Sequence, residues 1–256
     1  MIIKFITLNL WQGGLLFESI VEFIRKENPD IIALQEVYDG RSSYLKKHQR
    51  TLTVFQEELN YKHFFFSPAF LDERKRDKLP NGNAILSRYP IITGKTIFYD
   101  VGFGNVRTPN LNDFTSIPRS LQQTVIQINN INVHVYNTQG IWGFDGKDNQ
   151  RRLKMSQTIV NEIKNKNHVI LAGDFNVSPK TKTIQNIKRY LNNVFGNELT
   201  TTFNLKRKDK GDYATSVVDM IFVSRDIKVL TRYCPSIDIS DHLPLICLLE
   251  VNNKFM

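Results

Sequence analysis

The sequence predicts an α/β fold: a mixed-sheet sandwich with helices on the outside. Three observations carry this expectation. Val- and Ile-rich runs bounded by Asn, Asp, Gly or Pro read as strands, and they greatly outnumber stretches of helical periodicity. Several of them follow one another between residues 83 and 137, which excludes a simple βαβ alternation. The 256-residue chain also shows no internal repeat, low-complexity segment or linker. One domain spanning 1–256 is therefore expected, long enough to bury a sizeable core.

In chain order, the apolar runs predict strands at 2–8, 30–36, 83–87, 91–98, 121–128, 131–137, 168–173, 217–223, 227–233 and 245–251. Helical spacing first appears in "LLFESIVEFIRKEN", where Phe17, Ile20, Val21 and Ile24 form a stripe. It recurs over 44–59 (Leu45, Leu52, Phe55, Leu59) and 148–165 (Leu153, Ile159, Val160, Ile163), with a shorter helix expected at 180–191. Residues 99–118, "YDVGFGNVRTPNLNDFTSIP", form a long irregular connection of the kind that carries function in compact domains.

Hydrophobic content of 41% and charged content of 23% suit a soluble globular protein. No apolar stretch approaches the roughly 20 residues that span a bilayer. The opening "MIIKFITLNLW" reads as a strand rather than a secretory signal, so a cytoplasmic location is expected. Cys234 and Cys247 have no second ligand nearby in sequence and are expected as free thiols. The formal net charge of +9 favours a polyanionic partner, nucleic acid or an anionic membrane surface. The charge run "DERKRDK" at 72–78 nets only +1 and is expected to be a solvated face.

Five strand ends carry polar groups where burial is expensive. Asn9 closes "ITLNLWQGG", and Glu36 closes "PDIIALQEV". "HVILAGDFNV" supplies Asp174 and Asn176, which share a face if the chain stays extended. Asp219 sits inside "TSVVDMIFVS", and "ISDHLPL" pairs Asp241 with His242. Singly, each has a structural alternative, such as a turn cap, an ion pair or a satisfied core histidine. An isolated buried carboxylate costs several kcal/mol unless a cation or hydrogen bonds compensate it. Four such groups with two asparagines and a histidine point to a shared ion. An oxygen-rich set without thiolates suits Mg²⁺ or Mn²⁺.

The ordered set "TLNLW", "PDIIALQEV", "GNAILSRYPI", "VYNTQG", "LAGDFNV", "VVDMIFVS" and "SDHLPL" resembles the endonuclease/exonuclease/phosphatase superfamily over residues 7–245. "NAILSRYPI" is similar to the sphingomyelinase-like and tyrosyl-DNA phosphodiesterase-like branches. The resemblance implies a four-layer α/β sandwich, two mixed sheets face to face and flanked by helices, with the active site at one rim. It implies Glu36 as principal metal ligand, with Asn9 and Asp241 completing or hydrogen-bonding the metal shell. Asp174 would activate water, and Asn176 would orient it or the phosphate. His242 would contact a phosphate oxygen, with Asp219 fixing its tautomer. Asn137 is expected at the phosphate site.

Gln139 departs from the pattern, because most branches read Asn-x-His there and a glutamine amide cannot exchange a proton near neutral pH. The expected activity is metal-dependent phosphodiester hydrolysis, most simply of nucleic acid and of DNA in particular, weakened if Gln139 vacates a catalytic position. Alternatives are a catalytically impaired relative that acts as a binding protein, and a lipid phosphodiesterase or phosphatase of sphingomyelinase type. Candidate substrate contacts are Arg119, Trp142, Phe144 and the basic loop "NLKRKDKGDY". No obligate protein partner is evident.

Overall fold

A computed structural model describes residues 1–74, 77–107, 114, 116–208 and 216–252. Two mixed sheets pack face to face. In chain order the elements are β1 (Ile2–Asn9), α1 (Phe17–Glu27), β2 (Ile31–Tyr38), a 3₁₀ turn (Lys47–Gln49), α2 (Thr51–Leu59), β3 (His63–Asp72), β4 (Leu79–Ser87) and β5 (Ile91–Phe98). There follow β6 (Gly104–Val106), β7 (Ser120–Ile128), β8 (Ile131–Gln139), α3 (Gln150–Ile163), β9 (Val169–Asp174), α4 (Lys182–Lys188), β10 (Asn192–Asn193), β11 (Asp219–Val223), β12 (Ile227–Tyr233) and β13 (Leu245–Val251). The first sheet runs β12-β13-β1-β2-β4-β3-β6 and the second β10-β11-β9-β8-β7-β5.

Alternation along the strands builds three apolar layers. Ile3, Phe5, Val133, Val135, Ile170 and Leu249 fill the space between the sheets. The opposite faces send Ile6, Leu8 and Ile32 against α1 and α2, and Leu171 and Phe222 against α3 and α4. Both faces of the central strands are covered, so those strands read as continuous apolar runs rather than alternation. The stripe Phe17, Ile20, Val21 and Ile24 is buried as its spacing demands. That helix stops at Asn28, which takes a left-handed conformation at φ 47°.

Ten of the strands were expected from the sequence, and β3, β6 and β10 were not. In β3 the run "HFFFSPAFLD" contains Pro68, which argues against a strand. The pairing with β4 accommodates it by a register shift between Pro68 and Phe70. The helix expected over 44–59 begins only at Thr51, after the 3₁₀ turn, and Leu45 packs separately with Tyr38 and Leu79. The "DERKRDK" run is not a solvated face throughout, because Asp72 is fully buried and Arg74 binds it. Residues 75–76 of that run, 108–113 and 115 of the long connection, and 209–213 of the basic loop lie outside the described residues. No described helix is long and apolar enough to cross a membrane. Cys247 is buried and Cys234 half-buried; both are free, and burial raises both thiol pKa values.

Candidate active site

Strand register assembles the site. In the second sheet, parallel pairing sets Gln139 beside Asp174, and antiparallel pairing sets Asp219 on the other side of Asp174. Three polar residues thus end three adjacent strands in one row. In the first sheet, β1 and β2 run parallel with Asn9 beside Gln35, so Asn9 at the end of β1 and Glu36, next to Gln35 on β2, reach the same rim. The two rims meet where Asn9 Nδ2 donates to Glu36 Oε1 at 3.1 Å and to Asp174 Oδ2 at 3.2 Å.

Glu36 is aimed by its backbone. A bulge interrupts the β2–β4 ladder between Leu34 and Val37, and Glu36 within it has φ 59°. Its Oε1 also accepts from Gln139 Nε2 at 3.0 Å, and its Oε2 accepts from the Gln12 backbone N–H at 2.8 Å. The Gln12 donor comes from a left-handed turn running Trp11 to Gly14, all at positive φ. At Gly13 an added Cβ would lie 2.0 Å from the His48 carbonyl oxygen, so the tight turn requires glycine. Burial works to raise the Glu36 pKa, but the Gln12 N–H, the Arg119 charge and the Asn9 amide outweigh it and hold the carboxyl below its ordinary range.

Gln139 is hydrogen-bonded at both ends of its amide. Its carbonyl accepts from Arg119 NH1 at 2.5 Å while its amide donates to Glu36, so it joins a guanidinium to a carboxylate. Arg119 is buried beneath the cavity, and its Nε–H has no acceptor among the described residues. Gly140 follows because the chain must pass close to Phe175: an added Cβ would lie 2.1 Å from the Phe175 carbonyl oxygen.

Asp174 and Asn176 meet, but not by sharing the face of an extended strand. Asn176 has φ 55°, and its backbone N–H donates to Asp174 Oδ1 at 2.9 Å in a tight turn. Its side-chain amide donates to Asp174 Oδ2 at 3.3 Å and to the Gly140 carbonyl at 3.1 Å. Burial, aided by the Asp219 charge, pushes the Asp174 pKa up to about 6.

Opposite it, His242 Nδ1 lies 2.8 Å from Asp219 Oδ2. A carboxylate only accepts, so Nδ1 carries the proton and Nε2 is the outward atom. Burial lowers the imidazole pKa, but the Asp219 charge overrides it, and the pKa rises to about 9. Lys208 Nζ sits 3.2 Å from Nε2 and 3.0 Å from Asp241 Oδ2, and it lies over the Phe203 ring. Lys208 was visible in the sequence only as one charge in a basic loop.

These groups border a cavity of about 320 Å³ walled by Glu36, Arg119, Asp241, Lys208, Tyr38 and Trp142. Trp142 is packed edge-on by Phe144, which is itself 66% exposed and outside the cavity wall. Asn137 does not belong to the site. It is fully buried between the sheets, donating to the carbonyls of Leu34 and Ala84 and to Gln122, and accepting from Gln35 Nε2 at 2.6 Å. Those bonds use its donors and occupy its carbonyl, so it locks the sheets together behind the rim.

The residues present fit a hard divalent cation. Glu36 offers a half-buried, ionised carboxylate at the cavity wall, held by three donors that leave oxygen lone pairs free, and Asp241 lies on the same wall. Asn9 turns its amide nitrogen toward the carboxylates and its oxygen toward the Trp11 N–H at 3.0 Å, so it serves the hydrogen-bonding shell. Among the described residues no three His, Cys, Asp or Glu side chains cluster as a metal centre.

The fold recurs in solved structures. An endonuclease/exonuclease/phosphatase from Beutenbergia cavernae superposes with a TM-score of 0.73 at 17% identity, covering 98% of this chain and 72% of that one. A mannosyl-6-phosphatase from Bacteroides thetaiotaomicron gives 0.67 at 19%, covering 97% and 99%. The human Nocturnin catalytic domain with bound sulfate gives 0.68 at 16%, covering 98% and 95%. No curated protein matches by sequence. The family model for the Endonuclease/Exonuclease/phosphatase family matches residues 6–242. The chain therefore belongs to the endonuclease/exonuclease/phosphatase family, whose members hydrolyse phosphoester bonds.

Proposed function

We propose that this chain is a divalent-metal-dependent phosphodiester hydrolase acting on nucleic acid, with DNA the favoured substrate. The observation that carries the proposal is the opposition, across one rim, of a buried carboxylate of raised pKa and a histidine charged by its own carboxylate partner. One group can take a proton from water while the other stabilises negative charge on oxygen.

Asp174 accepts the proton of the attacking water as the new P–O bond forms and the P–O bond to the leaving oxygen breaks, that oxygen departing and taking its proton from solvent, and Asn176 orients the water through the same turn. His242 donates from Nε2 to a non-bridging phosphoryl oxygen, which requires Lys208 to exchange its present contact for a phosphate oxygen as well. Asp219 holds the ring in that tautomer. Arg119 adds charge beneath the phosphate, and Gln139 fixes its position relative to Glu36. Glu36 and Asp241, with Asn9 hydrogen-bonding around them, would hold Mg²⁺ or Mn²⁺. When bound, the cation supplies charge neutralisation at the phosphoryl and leaving oxygens. Trp142 offers a stacking face for a base.

The test is hydrolysis of DNA, RNA, sphingomyelin and bis-p-nitrophenyl phosphate with Mg²⁺ or Mn²⁺. Glu36→Ala and Asp174→Asn are each expected to lower turnover on the order of 10²–10⁴-fold. Cleavage of sphingomyelin alone would move the assignment to lipid. No cleavage of any substrate would leave a binding protein on this fold.

A further inference from the structure

Arg74 lines the same cavity as Glu36 and Arg119 but takes no part in the chemistry described above. We propose that it forms a second anion subsite, selecting substrates that carry another phosphoryl group one nucleoside away from the scissile ester. This rests on the phosphoesterase reading of the site.

The subsite is built from a carboxylate that is fully removed from water. Asp72 ends β3 with no exposed surface, an arrangement that costs several kcal/mol unless every lone pair is answered. Tyr38, two residues beyond Glu36 on β2, donates its hydroxyl to Asp72 Oδ2 at 2.5 Å. Arg74 donates from its backbone N–H and Nε to Oδ1, at 3.0 and 2.7 Å, and from NH2 to Oδ2 at 2.9 Å. The guanidinium is thereby clamped along one edge. The Tyr38 hydroxyl also hydrogen-bonds the guanidinium, so the group is fixed in advance on the cavity wall.

The chemistry of the wall indicates what spans the two ends. Trp11, Tyr38, Phe70 and Trp142 give flat apolar faces suited to a heteroaromatic ring. The volume of about 320 Å³ is at the lower end for small-molecule pockets, the scale of a single nucleotide unit.

The experiment compares thymidine 5′-(p-nitrophenyl phosphate) with the same ester bearing a 3′-phosphate. The wild-type protein is expected to favour the phosphorylated ester by about 10-fold in kcat/KM, mainly through KM. In Arg74→Gln that ratio should fall to within about 2-fold, and Arg74→Lys, which keeps the charge without the fork, should lie between. Calorimetric titration of thymidine 3′,5′-bisphosphate against thymidine 5′-monophosphate reads the same preference without turnover. Thermal unfolding confirms that each variant is folded, and Arg74→Lys carries the test if Arg74→Gln is not. A preference near one in the wild type, or one that survives loss of Arg74 in both assays, overturns the subsite. If neither ester is cleaved, the phosphoesterase reading fails, and calorimetry still decides the subsite.

Discussion

Gln139 stands where a histidine is expected from the family resemblance, and the structure gives it a task that needs no proton exchange. It accepts from Arg119 and donates to Glu36, and a primary amide does both at any pH. Gln139→Met removes both bonds and leaves two charged groups less well paired. Hydrogen bonds to charged partners are worth about 1.5–3 kcal/mol, so kcat/KM should fall roughly 10- to 100-fold. Gln139→His should bring no more than about a 2-fold gain, because the position is already filled; a large gain on bis-p-nitrophenyl phosphate would show that a catalytic group is missing. The two neighbouring titrations set the pH range. Asp174 must be deprotonated to accept a proton, so activity is lost as pH falls through about 6. His242 must be protonated to donate, so activity is lost as pH rises through about 9. A bell-shaped kcat/KM profile between those limits is expected, and His242→Gln should abolish its alkaline limb. A flat profile would remove both groups from the proton transfer.

At the scale of elements, the sequence showed which strands end in polar groups but not how they dock. Asn9, Glu36, Asp174, Asp219 and His242 were readable because an ionisable or amide group at the end of an apolar run has few structural explanations. Asn137 followed the same pattern, yet it lies two register rows deeper than Gln139, where β8 is still covered by the first sheet. Parity along one strand gives the face a side chain takes, but not the depth at which the facing sheet stops. Strand β3 escaped because Pro68 argues locally against a strand, and only the pairing with β4 shows how it is tolerated. The Tyr38–Asp72–Arg74 cluster was hidden because Tyr38 comes from β2 while Asp72 ends β3, and because Asp72 and Arg74 sit in a charge run. Asn137→Leu tests the corrected placement. It strips Gln35 Nε2 of an acceptor and the carbonyls of Leu34 and Ala84 of a donor, all inside the sandwich. The expected cost is about 2–4 kcal/mol of stability, read from urea unfolding, with kcat of the folded fraction retained. Lost activity at unchanged stability would return Asn137 to the site.

For the molecule as a whole, the net charge of +9 bears on the substrate rather than on the fold. Arg119 and Lys208 reach the cavity, while others such as Arg232 and Lys95 are held in exposed pairs with Glu198 and Glu162. Such surface pairs are weak and exchange readily for phosphate, so they add to a diffuse attraction for polyanions. A small ester touches only the cavity, whereas a duplex draws on the wider surface, and ionic strength separates the two. If about four phosphates are neutralised, raising salt from about 50 to about 200 mM should weaken DNA binding on the order of 10²-fold by counterion release. KM for bis-p-nitrophenyl phosphate should change by less than about 2-fold over the same range, because its single charge releases no condensed counterions. Measuring both on one preparation cancels any salt effect on the fold or the metal. Equal salt dependence for DNA and the small ester would confine recognition to the cavity and make a small phosphoester the substrate, because the basic surface would then contribute nothing to binding.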